Sequence, residues 1–123
     1  MRDWLYVEDH CTALDLVLER GKIGEIYNIS GSCEKRNIDV VEFILGKLDK
    51  PKSLIRFVKD RPGHDWRYAL DASKLQDELG WKPRDDFPRG LQQTIEWYLE
   101  HRDWVRQVTS GEYQQYYERV YLR

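Results

Sequence analysis

Apolar residues recur along this chain in two rhythms, one of period two and one of three to four. Trp4-Leu5-Tyr6-Val7 is a short β-type run. A helical pattern follows at once, because Val7, Cys11, Leu14 and Val17-Leu18 recur at helical spacing and Gly21 stands where a helix-ending glycine belongs. Glu25–Ser30 (EIYNIS) reads as a strand closed by Gly31. The next helix takes Asn37 as its N-cap, carries Ile38, Val41, Ile44-Leu45 and Leu48 on its apolar face, and stops at Pro51. Leu54–Asp60 (LIRFVKD) is a third β-type run. Asp71 caps a short helix that turns Leu75 and Leu79 inward and ends at Gly80. Two prolines make Trp81–Gly90 a loop. Leu91, Ile95, Tyr98 and Leu99 then define an amphipathic helix, and Tyr113, Tyr116, Tyr117 and Tyr121 mark a terminal one. The order β-α-β-α-β-α-α-α predicts an α/β domain, a small and mostly parallel sheet with flanking helices. Parallel strands want both faces covered, so three of them in so short a chain imply cover from elsewhere.

Composition narrows the function classes. With 123 residues, 41% apolar and 34% charged, the chain is an ordinary single globular domain. A net charge of −2 supplies no basic field for nucleic acid. No apolar run approaches the ~20 residues of a membrane span. The opening MRDWLYVEDH has no basic region followed by an apolar core, so it is not read as a secretory signal. Cys11 and Cys33 sit outside any CxxC and read as free thiols in a reducing cytoplasm. His10, His64 and His101 form no metal motif. Five Trp, eight Tyr and three Phe are more large side chains than the chain buries alone, which predicts self-association.

Candidate chemistry concentrates in Asp60–Tyr68 (DRPGHDWRY). Pro62-Gly63 makes a turn that is stiff at one residue and permissive at the next, and it can set Arg61 and His64 on one side. A guanidinium fork and an imidazole suit phosphate oxygens, and a protonated imidazole suits them better. In α/β sheets ligands gather beyond the carboxyl ends of the strands, where this loop is expected. A plain surface turn, with Arg61 or Arg67 paired to a nearby Asp, is the competing reading. Arg2 is either a ligand contact or a solvated terminus, and Asn37 either a ligand contact or only a cap. Gly21 and Gly24 in GKIGEIY do not make a dinucleotide fingerprint, because a helix precedes them and a strand follows. There is no GxSxG, and no Tyr is followed four positions later by Lys.

Taken in order, RDWLYVEDH, GEIYNISG, EKRNIDVVEFI, DRPGHDWRYALDASKLQDELGWKP and GLQQTIEWYLEHRDWV resemble the C-terminal third of the dTDP-glucose 4,6-dehydratase family, nucleotide-sugar enzymes among the extended short-chain dehydrogenases/reductases. The resemblance runs over essentially the whole chain. It implies that residues 1–123 form one C-terminal, nucleotide-sugar-binding lobe, with the N-terminal NAD-binding Rossmann domain absent. It also implies site roles. Arg2 meets the nucleotide diphosphate and Asn37 a phosphate. Arg61 and His64 grip the diphosphate and its ribose side from a loop built by Asp60, Pro62 and Gly63. The implied ligand is a dTDP-sugar or dTDP, held weakly. The family oxidises the sugar at C4 with bound NAD, eliminates water across C5–C6 and returns the hydride to C6. The glycine-rich NAD turn, the Tyr-x-x-x-Lys pair and the acid/base residues precede this lobe in the family. No catalytic, cofactor-binding or metal residue is therefore expected in this chain. Two functions follow from that: a dehydratase portion inactive by itself, or a stand-alone nucleotide-binding or interaction module without enzymatic activity.

Overall fold

The inner wall of the fold is α1 (Val7–Arg20). In the computed structural model, which describes residues 1–60 and 62–111, its Ala13 is buried against Leu75 of α3 (Ser73–Leu79) and against Trp81. Leu5, Leu16, Val17, Tyr27, Ile29 and Leu79 close around this centre. The small Ala13 side chain lets α3 come close. Trp81 keeps its polar edge satisfied, since its indole N–H donates to Thr12 Oγ1 at 3.1 Å. The buried face of α1 is thus Ala13, Leu16 and Val17. Of the stripe expected to be buried, Val17 does pack on this centre, whereas Val7, Cys11, Leu14 and Leu18 are exposed, Leu18 to 87%. Helix period alone does not choose between two apolar stripes; the size of Ala13 does.

The sheet differs from expectation. β1 (Arg2–Asp3) pairs antiparallel with β2 (Glu34–Lys35), with Arg2 opposite Lys35 and Asp3 opposite Glu34. Val7 already belongs to α1, and neither Glu25–Ser30 nor Leu54–Asp60 joins a ladder. Glu25–Ser30 nonetheless has strand-like alternation, with Tyr27 and Ile29 inward and Ile26 and Asn28 outward. A strand needs a neighbour's donors and acceptors, and the described residues do not offer this segment one. Parallel geometry occurs at one point: the Met1 nitrogen donates to Trp66 O at 2.9 Å and Tyr68 N–H to Met1 O at 3.1 Å, the staggered pattern of a parallel pair.

The remaining ends have local causes. Arg36, not Asn37, caps α2 (Asn37–Lys47), because Asp39 accepts the Arg36 backbone N–H at 3.1 Å and its guanidinium at 2.5 Å. Val40 is the buried residue of α2, and Phe43 meets Phe87 edge-on at 5.9 Å. Asp71 receives the Ser73 N–H at 2.9 Å at the start of α3. Gly80 ends α3 in the left-handed region (φ 75°), as a C-cap glycine should, whereas Gly21 leaves α1 at φ −64° and is small because Val17 O lies where its Cβ would stand. α4 (Phe87–Glu100) starts four residues before Leu91. Asp86 accepts the Arg89 N–H at 3.0 Å and Pro88 sits in the first turn, so Asp-Phe-Pro opens a helix and is not a loop. Asp9, 1% exposed, joins the start of α1 to this approach by accepting the Asp85 N–H at 3.1 Å, with Arg84 Nε 3.6 Å from its other oxygen.

Two compact units divide the chain, Met1–Leu91 and the stretch from Gln92 onward. In the second, a break at His101 separates α4 from α5 (Arg102–Thr109), and Trp97 stacks on His101 at 4.3 Å with Trp104 edge-on at 5.1 Å. The terminal helix expected around Tyr113–Tyr121 lies outside the described residues. Among the described residues no helix is long and apolar enough to cross a membrane.

Arg67 fastens the segment after the loop to β2. Its Nε and Nη2 donate to the two Glu34 oxygens at 2.6 Å each. The Arg67 guanidinium holds the Glu34 carboxyl below its ordinary range. A depressed folded pKa gives stabilisation that is present above the ordinary carboxyl value and lost as pH falls through the folded one. Glu34→Gln is therefore expected to lower the urea midpoint at pH 6 and to converge with wild type toward pH 2.5; an equal gap at both ends would deny the linkage. Leu75→Ala empties a fully buried position and is expected to cost about 2–5 kcal/mol in the same unfolding experiment. A loss under ~1 kcal/mol would place the core elsewhere.

Candidate functional site

β1 sets the position of Arg2, and the loop after Val58 comes to meet it. The half-buried Arg2 side chain donates through Nη1 to Met1 O at 2.7 Å and to Asp65 O at 3.2 Å. Its Nη2 stands 2.6 Å from His64 Nε2, and its guanidinium carbon lies 4.6 Å from the centroid of the Tyr68 ring. His64 Nδ1 is 2.6 Å from Asp60 Oδ1. The Tyr68 hydroxyl donates to the Asp65 carboxylate. The loop thus folds back on itself through Asp60–His64 and Asp65–Tyr68, and Arg2 docks across both pairs.

The hydrogen-bond roles are fixed by chemistry. A guanidinium has donors only, so His64 Nε2 must present its lone pair to Arg2. The ring proton then resides on Nδ1 and is donated to Asp60. Asp60, His64 and Arg2 form a single relay running from an acceptor to a cation. The imidazole, expected as a second donor beside Arg61, is here an acceptor toward Arg2.

Pro62-Gly63 makes the turn, with Gly63 at φ 68°. A Cβ at Gly63 would meet nothing within 4 Å, so glycine is required by backbone conformation and the face of the turn is open. Asp60, Pro62, Gly63, His64 and Arg2 are therefore gathered in one place. Asn37 is exposed in the first turn of α2, two residues beyond Lys35, the partner of Arg2, and does not bond to Arg2 or His64. Arg61 lies outside the described residues. Arg67 pairs with Glu34 across the sheet and not with a nearby Asp. Glu34 and Tyr68 are the participants that pattern reasoning missed. Tyr68 stood inside the polar loop and could have been suspected as an aromatic platform for a cation; Glu34 became visible only with the β1–β2 register.

Other chemistries fit poorly. Among the described residues no three His, Cys, Asp or Glu side chains gather as a metal site. The cradle for a dinucleotide pyrophosphate needs glycines that open a helix. Gly21 and Gly24 instead follow α1 and lead into Glu25–Ser30, so these residues do not fit NAD. Cys11 and Cys33 are free, and burial pushes the Cys33 thiol up.

Residues 1–94 match the family model described as GDP-mannose 4,6 dehydratase. The dTDP-glucose 4,6-dehydratase of Salmonella typhimurium is 52% identical over 128 residues, a match that takes in 98% of this chain and 36% of that enzyme. The dTDP-glucose 4,6-dehydratase of Bacillus anthracis, crystallised in complex with NAD, superposes with a TM-score of 0.78 at 49% identity over 83% of this chain and 32% of that one. DesIV, the dTDP-glucose 4,6-dehydratase of Streptomyces venezuelae with NAD and TYD bound, gives 0.79 at 43% identity over the same shares. The chain spans about a third (36%) of the length of the curated relative it matches. The α/β architecture and these likenesses place the chain with the extended short-chain dehydrogenase/reductase dehydratases. A family match over residues 1–94 and this level of identity lead to one conclusion: the chain belongs to the GDP-mannose 4,6 dehydratase family.

Proposed function

We propose that this chain is the part of a dTDP-glucose 4,6-dehydratase that holds the diphosphate of the sugar nucleotide, through Arg2, Asn37, Asp60, Arg61, Pro62, Gly63 and His64. The observation that carries the reading is the Arg2–His64 contact. Residues 62 positions apart meet at 2.6 Å around a guanidinium that Tyr68 supports from one side. A guanidinium held in this way keeps its planar fork ready for phosphate oxygens. In this reading residues 1–123 are a single substrate lobe. The NAD-binding Rossmann domain and the proton-transfer residues belong to the remaining two-thirds of the relatives' length. Glu25–Ser30 and Leu54–Asp60 then take ladder partners from that remainder, which completes a mostly parallel sheet. The chain by itself binds dTDP or a dTDP-sugar weakly and turns nothing over.

dTDP is expected to bind with a Kd on the order of 0.1–1 mM, or ~4–5.5 kcal/mol, and dTDP-glucose about as well. Arg2→Ala and Arg61→Ala each remove a charge-assisted contact worth roughly 1.5–3 kcal/mol and should abolish detectable binding, with Lys at either position a poor rescue. An NMR titration checks this; spectral changes remote from these residues, or wild-type affinity in both variants, would sink the assignment. The same sample given dTDP-glucose and NAD should release no 4-keto-6-deoxy product above a buffer control.

Copies of the isolated chain are expected to associate through the exposed Val7-Cys11-Leu14-Leu18 stripe of α1. Light scattering should give a dimer or larger species, and Leu14→Glu with Leu18→Glu should return a monomer. A wild-type monomer at high concentration counts against the stripe.

A further inference from the structure

We propose that Lys35 is a second cation of the diphosphate site, set beside Arg2 on one face of the β1–β2 ladder. The proposal rests on the reading that Arg2 and its loop hold a diphosphate, and it adds to that reading a residue from the neighbouring strand. It follows from how the ladder sorts charge between its two faces.

Residues directly opposite in an antiparallel pair share a face, and successive residues alternate between faces. Arg2 opposite Lys35 therefore puts two cations together, and Asp3 opposite Glu34 puts two carboxylates together on the other side. The Met1 bonds to Trp66 O and Tyr68 N–H set Met1 opposite Arg67, so Tyr68 joins the Arg2 face and Arg67 the carboxylate face. The contacts agree: Arg2 lies over the Tyr68 ring, and Arg67 bonds Glu34. Arg36 is extended (φ −75°, ψ 149°), which returns Asn37 to the side of Lys35. One face thus carries Tyr68, Arg2, Lys35 and Asn37: two cations, an amide and a phenol.

Like charges directly opposite in a sheet repel. The carboxylate face offsets this from within. Arg67 takes both Glu34 oxygens, and Asp3 accepts the Ser30 hydroxyl and the Cys33 N–H. The cation face has no such offset among the described residues. Arg2 rests on backbone oxygens, His64 and the Tyr68 ring. Lys35 is half-buried, with Nζ 5.8 Å from the centroid of the Phe87 ring, and no described carboxylate pairs with it. The carboxylates around it are engaged elsewhere: Glu34 by Arg67, Asp39 by Arg36, Asp60 by His64 and Asp65 by the Tyr68 hydroxyl. Two cations, each supported by an aromatic ring in place of a carboxylate, are left for an anion from outside. A diphosphate suits such a pair. The Arg2 fork takes one phosphate, and the Lys35 ammonium, a compact point charge, takes the other. Its binding offsets the repulsion within the ladder.

Lys35→Met tests this, because it keeps an unbranched stem and removes the charge. Without ligand and in low salt, its urea midpoint should lie above that of wild type. The two should converge in about 1 M sodium chloride, where the Debye length is ~3 Å. NMR titrations with inorganic pyrophosphate and with dTDP should show affinity about tenfold weaker than wild type, the loss of one charge-assisted contact. Lys35→Arg keeps the cation and should bind close to wild type. On the wild-type chain, the Lys35 13Cε resonance should move as pyrophosphate is added. Higher stability joined to weaker binding is the expected signature; a residue that only packs on Phe87 would lose stability when changed. Wild-type affinity in Lys35→Met, or a fixed 13Cε signal, overturns the role of Lys35. The site reading survives that result where Arg2→Ala still loses the ligand, and falls with it where Arg2→Ala binds as wild type does. A lower midpoint for Lys35→Met, or a gap that salt does not close, denies the opposed cation pair and the proposal with it. Absence of binding of both ligands by wild type overturns the proposal and the site reading together. The 13Cε spectra are read on wild type, so the proposal is tested even where Lys35→Met does not fold.

Discussion

Hydrogen bonding on both edges of Met1–Asp3 is the constraint from which the site follows. On one edge β1 pairs with Glu34–Lys35, and on the other the Met1 backbone exchanges bonds with Trp66 and Tyr68. Asp3 extends the first edge, taking the Cys33 N–H at 2.8 Å and the Ser30 hydroxyl into its carboxylate. Three stretches distant in sequence are thereby aligned by one short extended segment. Without it Arg2 would have no fixed relation to His64, and Tyr68 would not lie beneath a guanidinium. The apolar centre at Ala13, Leu75 and Trp81 holds the helices together, but it does not itself position the charged loop.

The cluster shows how a cation is kept in order by neighbours that do not neutralise it. A bare guanidinium beside an open turn would sample many positions. Here backbone oxygens, an aromatic face and a ring nitrogen restrain it. None of these partners is a carboxylate, so the positive charge is held in place without being neutralised. The nearby carboxylates are engaged by other groups: Glu34 by Arg67, Asp60 by His64 and Asp65 by Tyr68. Among the described residues of the cluster, that separation leaves the Arg2 charge without a directly paired side-chain anion.

Much of this was legible in the sequence, and most of the failures share one physical cause. Local signals did well at Gly80 and Leu75, which act as their spacing suggests, whereas the N-cap of α3 is Ala72 and Asp71, one residue earlier, accepts the Ser73 N–H. The polar density of DRPGHDWRY marked the loop, and the resemblance drew Arg2 to it. What failed depended on distant neighbours. Strand-like alternation in Glu25–Ser30 could not reveal whether a ladder partner exists. Two apolar stripes on α1 looked alike until α3 settled against Ala13. The cap of α2 is a local exception: Asn37 lost it to Arg36 because Asp39, three residues on, reached back to Arg36. The acceptor role of His64 was invisible as well, since it is imposed by a residue 62 positions away.

Asp9 has a consequence for how the first unit comes apart. Its carboxylate is buried, one oxygen is occupied by the Asp85 N–H and the other lacks a close hydrogen bond. Opening of either segment breaks the Asp85 N–H bond to Asp9, separates it from Arg84 and admits water to its buried carboxyl group. The first turn of α1 and the residues leading into α4 therefore cannot fray independently. Water that reaches one has reached the other, and these two segments, more than seventy positions apart in sequence, behave as one cooperative unit of local opening.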